Sequence, residues 1–131
     1  MKRAASIWYW LPRVIGIVAI LFVSIFALDA FEPGLSIWKQ LAGFVVHLVP
    51  SFILAAILIL AWKRELSGGL VFLFIGLALS PIIFLHNYHM NQSVGMSLST
   101  VLFITFPFVL VGILFIWNYF SGRTNRNRHL V

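Results

Sequence analysis

The chain contains no cysteine, which excludes disulfide bonds, thiolate metal sites and a cysteine nucleophile. Charge is scarce as well, because only 9% of the residues are charged, against about 25% in an ordinary soluble domain. Hydrophobic residues make up 62% of the chain, which is more apolar surface than 131 residues can bury inside themselves. The composition therefore excludes soluble globular, disordered and fibrous proteins and predicts an integral membrane protein.

Catalytic and nucleotide-binding motifs are missing too. The sequence has no GxSxG, P-loop, GxGxxG or HExxH pattern. Acid–base chemistry with two carboxylates would depend on Asp29 and Glu32, whose more ordinary role is to mark a solvated helix end. We therefore predict a protein that is not an enzyme and needs no cofactor.

Four uninterrupted apolar runs account for most of the chain, at approximately residues 14–31, 41–62, 66–85 and 98–120. About 20 apolar residues are enough to cross a bilayer, and a span in lipid must satisfy its own backbone by forming a helix. The first run lacks the small residue that a signal-peptidase site needs, which favours an uncleaved anchor. The sequence predicts a single domain, residues 1–131, with the all-α fold of a four-helix membrane bundle.

Lysine and arginine are distributed very unevenly between the two sides of this bundle. Eight of the nine lie on the side of the chain termini, and only Lys39 lies on the other. This bias predicts that both termini are cytoplasmic, and it explains the net charge of +6 without a nucleic-acid partner. The predicted surroundings are the lipid bilayer, with tryptophans such as Trp38 and Trp62 at its two interfaces.

The segments between the spans yield further predictions. Residues 1–12 are interpreted as an interfacial lead-in, with Pro12 in the first turn of the helix that follows. Residues 86–97 are interpreted as a polar outer loop. Small or polar residues recur at helical spacing within the spans, which is typical of close helix contacts in lipid. The clearest lines are Gly43, His47, Ser51, Ala55 and Gly68, Phe72, Gly76, Ser80, with Thr105 and Gly112 in the last span.

Ionisable side chains at membrane depth are the first candidates for function. Asp29 ends the first span, and His47 lies about two turns into the second. Because a short turn joins these spans, the two residues are predicted to share a level and to form a polar pair. Such a pair is either a structural clasp or a site for protons or a ligand, and a third alternative is that the two do not touch.

A wider group of polar residues is predicted on the same outer side, namely Glu32, His86 and His89. Two histidines three apart together with a carboxylate would suit zinc, copper or nickel. Nothing in the sequence fixes a third ligand, and the surrounding residues favour a mobile loop. We therefore predict that the protein binds no metal.

Several stretches resemble a family of small prokaryotic membrane proteins of unknown function. The resemblance covers residues 13–76 well and the remainder loosely. It is carried by Arg13-Val14-Ile15-Gly16, Phe26-Ala27-Leu28-Asp29-Ala30-Phe31, His47-Leu48-Val49-Pro50, Ala61-Trp62-Lys63-Arg64-Glu65, Gly68-Gly69 and Gly112-Ile113-Leu114-Phe115. It implies a four-span protein of the prokaryotic cytoplasmic (inner) membrane and supplies no activity.

Two functional hypotheses follow from these observations. The first is a non-enzymatic accessory or structural component that acts through helix–helix contacts, as a homo-oligomer or with another membrane protein. The alternative is an oligomeric proton or cation transporter or channel subunit that uses Asp29 and His47.

Overall fold

A computed structural model describes the backbone of residues 2–128 and the side chains of residues 7–124. Within this range every regular element is helical, and short connections at residues 31–36, Arg64, 92–93 and Thr105 separate the helices. The elements are α1 (Lys2–Ile25), a 3-10 helix (Phe26–Ala30), α2 (Ile37–Lys63), α3 (Glu65–Asn91), α4 (Val94–Ile104) and α5 (Phe106–Arg128). Four segments are long and apolar enough to cross a membrane, namely Ile7–Ala30, α2, α3 and Phe106–Thr124. The predicted all-α architecture with four membrane-capable helices is confirmed.

The interpretation of residues 1–12 as a separate lead-in is wrong for the described part of that segment. Helix α1 begins at Lys2, and Pro12 lies inside it rather than in its first turn. Proline has no N–H, so the carbonyl of Trp8, four residues earlier, loses its usual helical donor. The side chain of Asn118 in α5 replaces that donor, with its Nδ2 atom 2.7 Å from the Trp8 oxygen. The hydrogen bond that Pro12 removes from α1 is thus replaced by a side chain of α5.

The predicted outer loop at residues 86–97 is also wrong, because helix occupies most of it. Helix α3 continues to Asn91, and Gln92 ends it in a left-handed conformation with φ of 52°. The Ser93 side chain then caps α4 by accepting a hydrogen bond from the Met96 N–H at 3.3 Å. Polar side chains here bond to their own helix, as Asn87 Nδ2 does to the Ile83 oxygen at 3.1 Å.

The last apolar run is divided at Thr105 into α4 and α5. Pro107 removes one backbone donor from the helical ladder. The N–H groups of Phe108 and Val109 both donate to the Thr105 carbonyl, each at 3.1 Å. These bonds connect α4 to α5 through a single turn residue, and α5 supplies the membrane-capable segment.

Glycines set the closest helix contacts. A Cβ atom added at Gly112 of α5 would lie 2.7 Å from the Gly69 carbonyl oxygen of α3, and one added at Gly69 would lie 2.9 Å from the Gly112 oxygen. Gly76 meets the α5 backbone one turn further on, and Gly68 lies against Ala61 of α2. Gly68, Gly76 and Gly112 belong to the small-residue lines predicted from the sequence, and they make the expected close helix contacts, whereas Gly69 lies outside those lines.

The bundle is packed tightly in one half and loosely in the other. We call the half nearer the chain ends and Arg64 the termini half, and the half nearer the 31–36 and 92–93 connections the loop half. Buried residues of α2 fall between Ser51 and Ala61, and those of α3 between Gly68 and Gly76, all in or near the termini half. There the axis is filled by aromatic and aliphatic side chains, among them Phe72, Phe108, Val111 and Phe115.

Candidate functional site

Arg13 is the most deeply buried charged residue that the structure describes. Its side chain is 1% exposed, and its Nη2 atom lies 2.9 Å from the Glu65 Oε1 atom. The Glu65 side chain is 23% exposed, so one end of the pair remains near the surface of the bundle. Within residues 7–124 this is the single ion pair, and it joins α1 to α3.

Aromatic rings surround the Arg13 guanidinium. Its central carbon lies 3.5 Å from the centroid of the Tyr9 ring, 5.2 Å from that of Phe115 and 5.6 Å from that of Trp62. A cation over an aromatic face is attracted by the ring quadrupole, most strongly when water is excluded. The Nη1 atom also donates a hydrogen bond to the Tyr9 carbonyl. We call this cluster of Arg13, Glu65, Tyr9, Trp62 and Phe115 the Arg13 junction.

The local sequence explains how the junction forms. Arg64 has an extended φ of −134° and separates α2 from α3, so Trp62 stands at the end of one helix and Glu65 at the start of the next. A carboxylate in the first turn of a helix also interacts favourably with the helix dipole. Arg13 directly follows Pro12, one turn above Tyr9 in α1. The junction thereby connects α1, α2, α3 and α5 at one level.

The contacts of the Arg13 junction give it a structural role, which is to hold the helices together. The guanidinium already contacts a carboxylate, a carbonyl oxygen and three rings, and its Nε atom is buried without a partner among the described residues. From the sequence alone, Arg13 is one of the basic residues that predict the orientation, and Glu65 enters only within a stretch that carries the family resemblance. One available signal was that Glu65 is the only acidic residue on the side of the termini, facing an arginine at the edge of the first span.

Asp29 and His47 lie near the place where the 3-10 helix packs on α2, and their polar groups are not bonded to each other. Gly43 packs against Ala30, next to Asp29, since a Cβ at Gly43 would lie 3.3 Å from the Ala30 Cβ. Both Asp29 and His47 are exposed, and among the described residues no hydrogen bond or ion pair joins them. The His47 Nδ1 atom instead donates to the Gly43 carbonyl at 2.8 Å. The polar pair stays a prediction.

The other predicted candidates, Glu32, His86 and His89, are all exposed. Glu32 lies in the connection after the 3-10 helix, whereas the two histidines lie in the last two turns of α3. Across the described residues, no three His, Asp or Glu side chains are grouped so that they would hold a metal ion.

A polar network that sequence analysis missed occupies the loop half. Asn91 Oδ1 accepts a hydrogen bond from the Ser93 N–H at 2.8 Å and another from the buried Ser97 hydroxyl at 3.4 Å. Asn87 accepts from the Thr100 hydroxyl at 3.4 Å. This network holds α3 against α4 and borders a cleft of about 630 Å³ between α4 and the end of α1.

The architecture and the residues that define it can be compared with known proteins. The chain belongs to the family described as Domain of unknown function (DUF7670), which matches residues 1–129. No curated protein and no solved structure matches it significantly. The family's description names no activity. The four membrane-capable helices of the chain are those of a multi-pass membrane protein.

Proposed function

We propose that this protein is a non-enzymatic accessory or structural component of a membrane, which acts through helix–helix contacts with a second copy or another membrane protein. The observation that best supports this proposal is the exposure of His47. At 1.5 Å per residue, His47 lies about 5 Å along the axis from the middle of α2. An exposed imidazole at that depth faces hydrocarbon unless another helix covers it.

The hydrogen bonding of His47 defines the partner that it needs. Because Nδ1 donates to the Gly43 carbonyl, the Nε2 atom of the neutral ring is left as an acceptor. An acceptor without a donor is costly in lipid, and polar side chains of membrane helices commonly bond across helices. The partner helix is therefore expected to present a hydroxyl or amide donor at this level.

The open half of the bundle gives such a helix room to approach. His47 lies one turn from Ser51, at the end of the stripe through which α2 packs on its neighbours. Beyond Ser51, toward the loop half, α2 has no buried residue in the described structure. One turn further on, Gly43 packs against Ala30, so His47 is an exposed position between two that the chain covers by itself, and a partner would cover it there.

Cross-linking in membranes tests this proposal. Cysteine placed at Val46, which is 66% exposed, is expected to give covalent adducts with a bis-maleimide reagent, either dimers or a heavier complex. Cysteine at Phe74 on α3, 72% exposed, is the matched control and should give few. His47→Leu should reduce the Val46 adducts, and His47→Gln should preserve them because its amide retains an acceptor. Equal cross-linking at both positions would contradict the proposal.

The transport alternative is less well supported, because Phe72, Phe108 and Phe115 fill the centre of the bundle. A pathway through Asp29 and His47 would have to run between copies of the chain. Proton uptake into proteoliposomes that is lost in His47→Leu would favour transport over the accessory role.

A further inference from the structure

The cleft in the loop half lies between two helices that barely touch. Helix α4 packs on α3 and α5, whereas α1 packs on α2 and α5. Between α1 and α4 this arrangement leaves a widely open cleft with a volume of about 630 Å³. That volume lies within the range of about 300–1,000 Å³ typical of small-molecule sites.

The lining of the cleft changes along the membrane normal. Near the loop end it is mostly polar, with Asn91, Ser93 and Ser99, and Met96 is the apolar side chain of α4 at this end. Deeper along α4, Phe103 and Ile104 face Phe22 of α1. Ile104 lies nine residues after Gly95 in a helix that rises 1.5 Å per residue, so the apolar floor is about 14 Å below the polar mouth. The gradient matches an amphiphile with its polar part at the surface and its chain in the hydrocarbon.

The polar end is held in place and carries no formal charge. The Asn91 side chain is oriented by the bond of 2.8 Å that its Oδ1 atom accepts from the Ser93 N–H, whereas the Ser97 hydroxyl, 3.4 Å away, has its shorter bond of 2.8 Å to the Ser93 carbonyl. The Asn91 Nδ2 atom has no acceptor within the described residues, so it has a donor to offer. Neutral donors suit ester carbonyls, and a site built for an ionic headgroup would be expected to hold an opposite charge.

From these observations we propose that the cleft between α1 and α4 is a binding site for one glycerolipid of the surrounding leaflet. The Asn91 amide and its hydroxyl neighbours bind the glycerol–ester region, and an acyl chain lies along Phe22, Phe26 and Phe103. Recognition at the ester level makes binding nearly independent of the headgroup charge. This site is separate from the His47 surface and does not depend on the accessory role.

Native mass spectrometry of the detergent-purified chain, titrated with dioleoylphosphatidylcholine, tests the site. The wild type is expected to retain one lipid under conditions that strip detergent. Gly95→Leu adds an apolar side chain at a residue that lines the cleft, and nothing lies within 4 Å of its Cβ atom, so the substitution begins in open space; thermal unfolding in detergent checks that the fold is retained. We expect this substitution to weaken retention roughly tenfold, which corresponds to about 1.4 kcal/mol. Gly122→Leu, equally unobstructed but remote in α5, is the control and should retain lipid like the wild type.

Two further measurements separate this site from ordinary lipid contact. Phosphatidylcholine with a diazirine in its acyl chain should label Phe22, Phe26 and Phe103 above Phe74, which is 72% exposed and does not line the cleft. Phosphatidylglycerol should bind within about threefold of phosphatidylcholine, since the lining is neutral. Equal retention by wild type and Gly95→Leu, labelling that merely follows exposure, or a tenfold preference for the anionic lipid would each overturn the proposal.

Discussion

Arg13 is held by a single carboxylate, and the two partners differ in their access to water. Removing one member of a buried ion pair costs about 3–5 kcal/mol when the other stays buried. Glu65→Met leaves a guanidinium that is 1% exposed, whereas Arg13→Met leaves a carboxylate that is 23% exposed. We therefore expect Glu65→Met to lower the thermal midpoint in detergent more than Arg13→Met does. The double variant should be more stable than Glu65→Met alone, and strict additivity would show that the pair is uncoupled.

The carbonyl of Trp8 provides a second test at the level of single residues. Asn118→Leu removes its donor and should cost about 1 kcal/mol, because a half-exposed carbonyl is left unsatisfied. Pro12→Ala restores a backbone N–H that can donate to the same oxygen. The cost of Asn118→Leu should therefore be smaller in the Pro12→Ala background, as measured by thermal unfolding in detergent. An equal cost in both backgrounds would exclude this compensation.

The predicted polar pair of Asp29 and His47 is tested by the same kind of cycle. If the two side chains interact directly in the membrane, Asp29→Ala and His47→Ala should show a coupling of about 0.6 kcal/mol, the average for polar contacts between membrane helices. Additive losses of stability would mean that each residue acts alone, His47 through the Gly43 carbonyl that it binds.

At the scale of whole helices, the seam between α3 and α5 depends on two glycines. Gly112→Ala would place a Cβ 2.7 Å from both the Gly69 oxygen and the Leu73 nitrogen, which are backbone atoms and cannot rotate away. We expect a loss of several degrees in thermal midpoint. Gly122→Ala lies in the same helix with nothing within 4 Å, and it should be neutral or stabilising by up to about 1 kcal/mol. Similar behaviour of the two variants would argue against the seam.

The helices themselves were predictable from the sequence, and their ends were not. Apolar runs identify four spans because lipid leaves the backbone no alternative to helix. Residues 86–97 look like a loop because they are polar, yet Asn87 and Asn91 form hydrogen bonds within and between the helices. The Arg13 junction was not predicted, because the distribution of charges between the two sides of a membrane does not show which helices are neighbours.

For the molecule as a whole, the uneven distribution of Lys and Arg predicts the orientation in the membrane. Since the chain has no cysteine, single cysteines can report it. Cysteines at Ser36 and His89, both exposed in the loop half, should react with an impermeant thiol reagent in intact cells. Cysteines at Ser67 and Ser121 should react only after the membrane is opened, and labelling of Ser121 in intact cells would reverse the orientation.

The two long-range bonds of the termini half also set an order of events during synthesis. Glu65 follows Arg13 by 52 residues. At a synthesis rate of about 5–20 residues per second, this carboxylate is therefore made roughly 3–10 s after the arginine that it pairs with. Asn118 follows Trp8 by 110 residues, and its donor arrives later still. Helix α1 is thus synthesised before the other described helices but depends on α5 for the donor to its Trp8 carbonyl. A chain truncated before α5 would leave this carbonyl without that donor, in a form that the machinery for inserting or degrading membrane proteins could recognise.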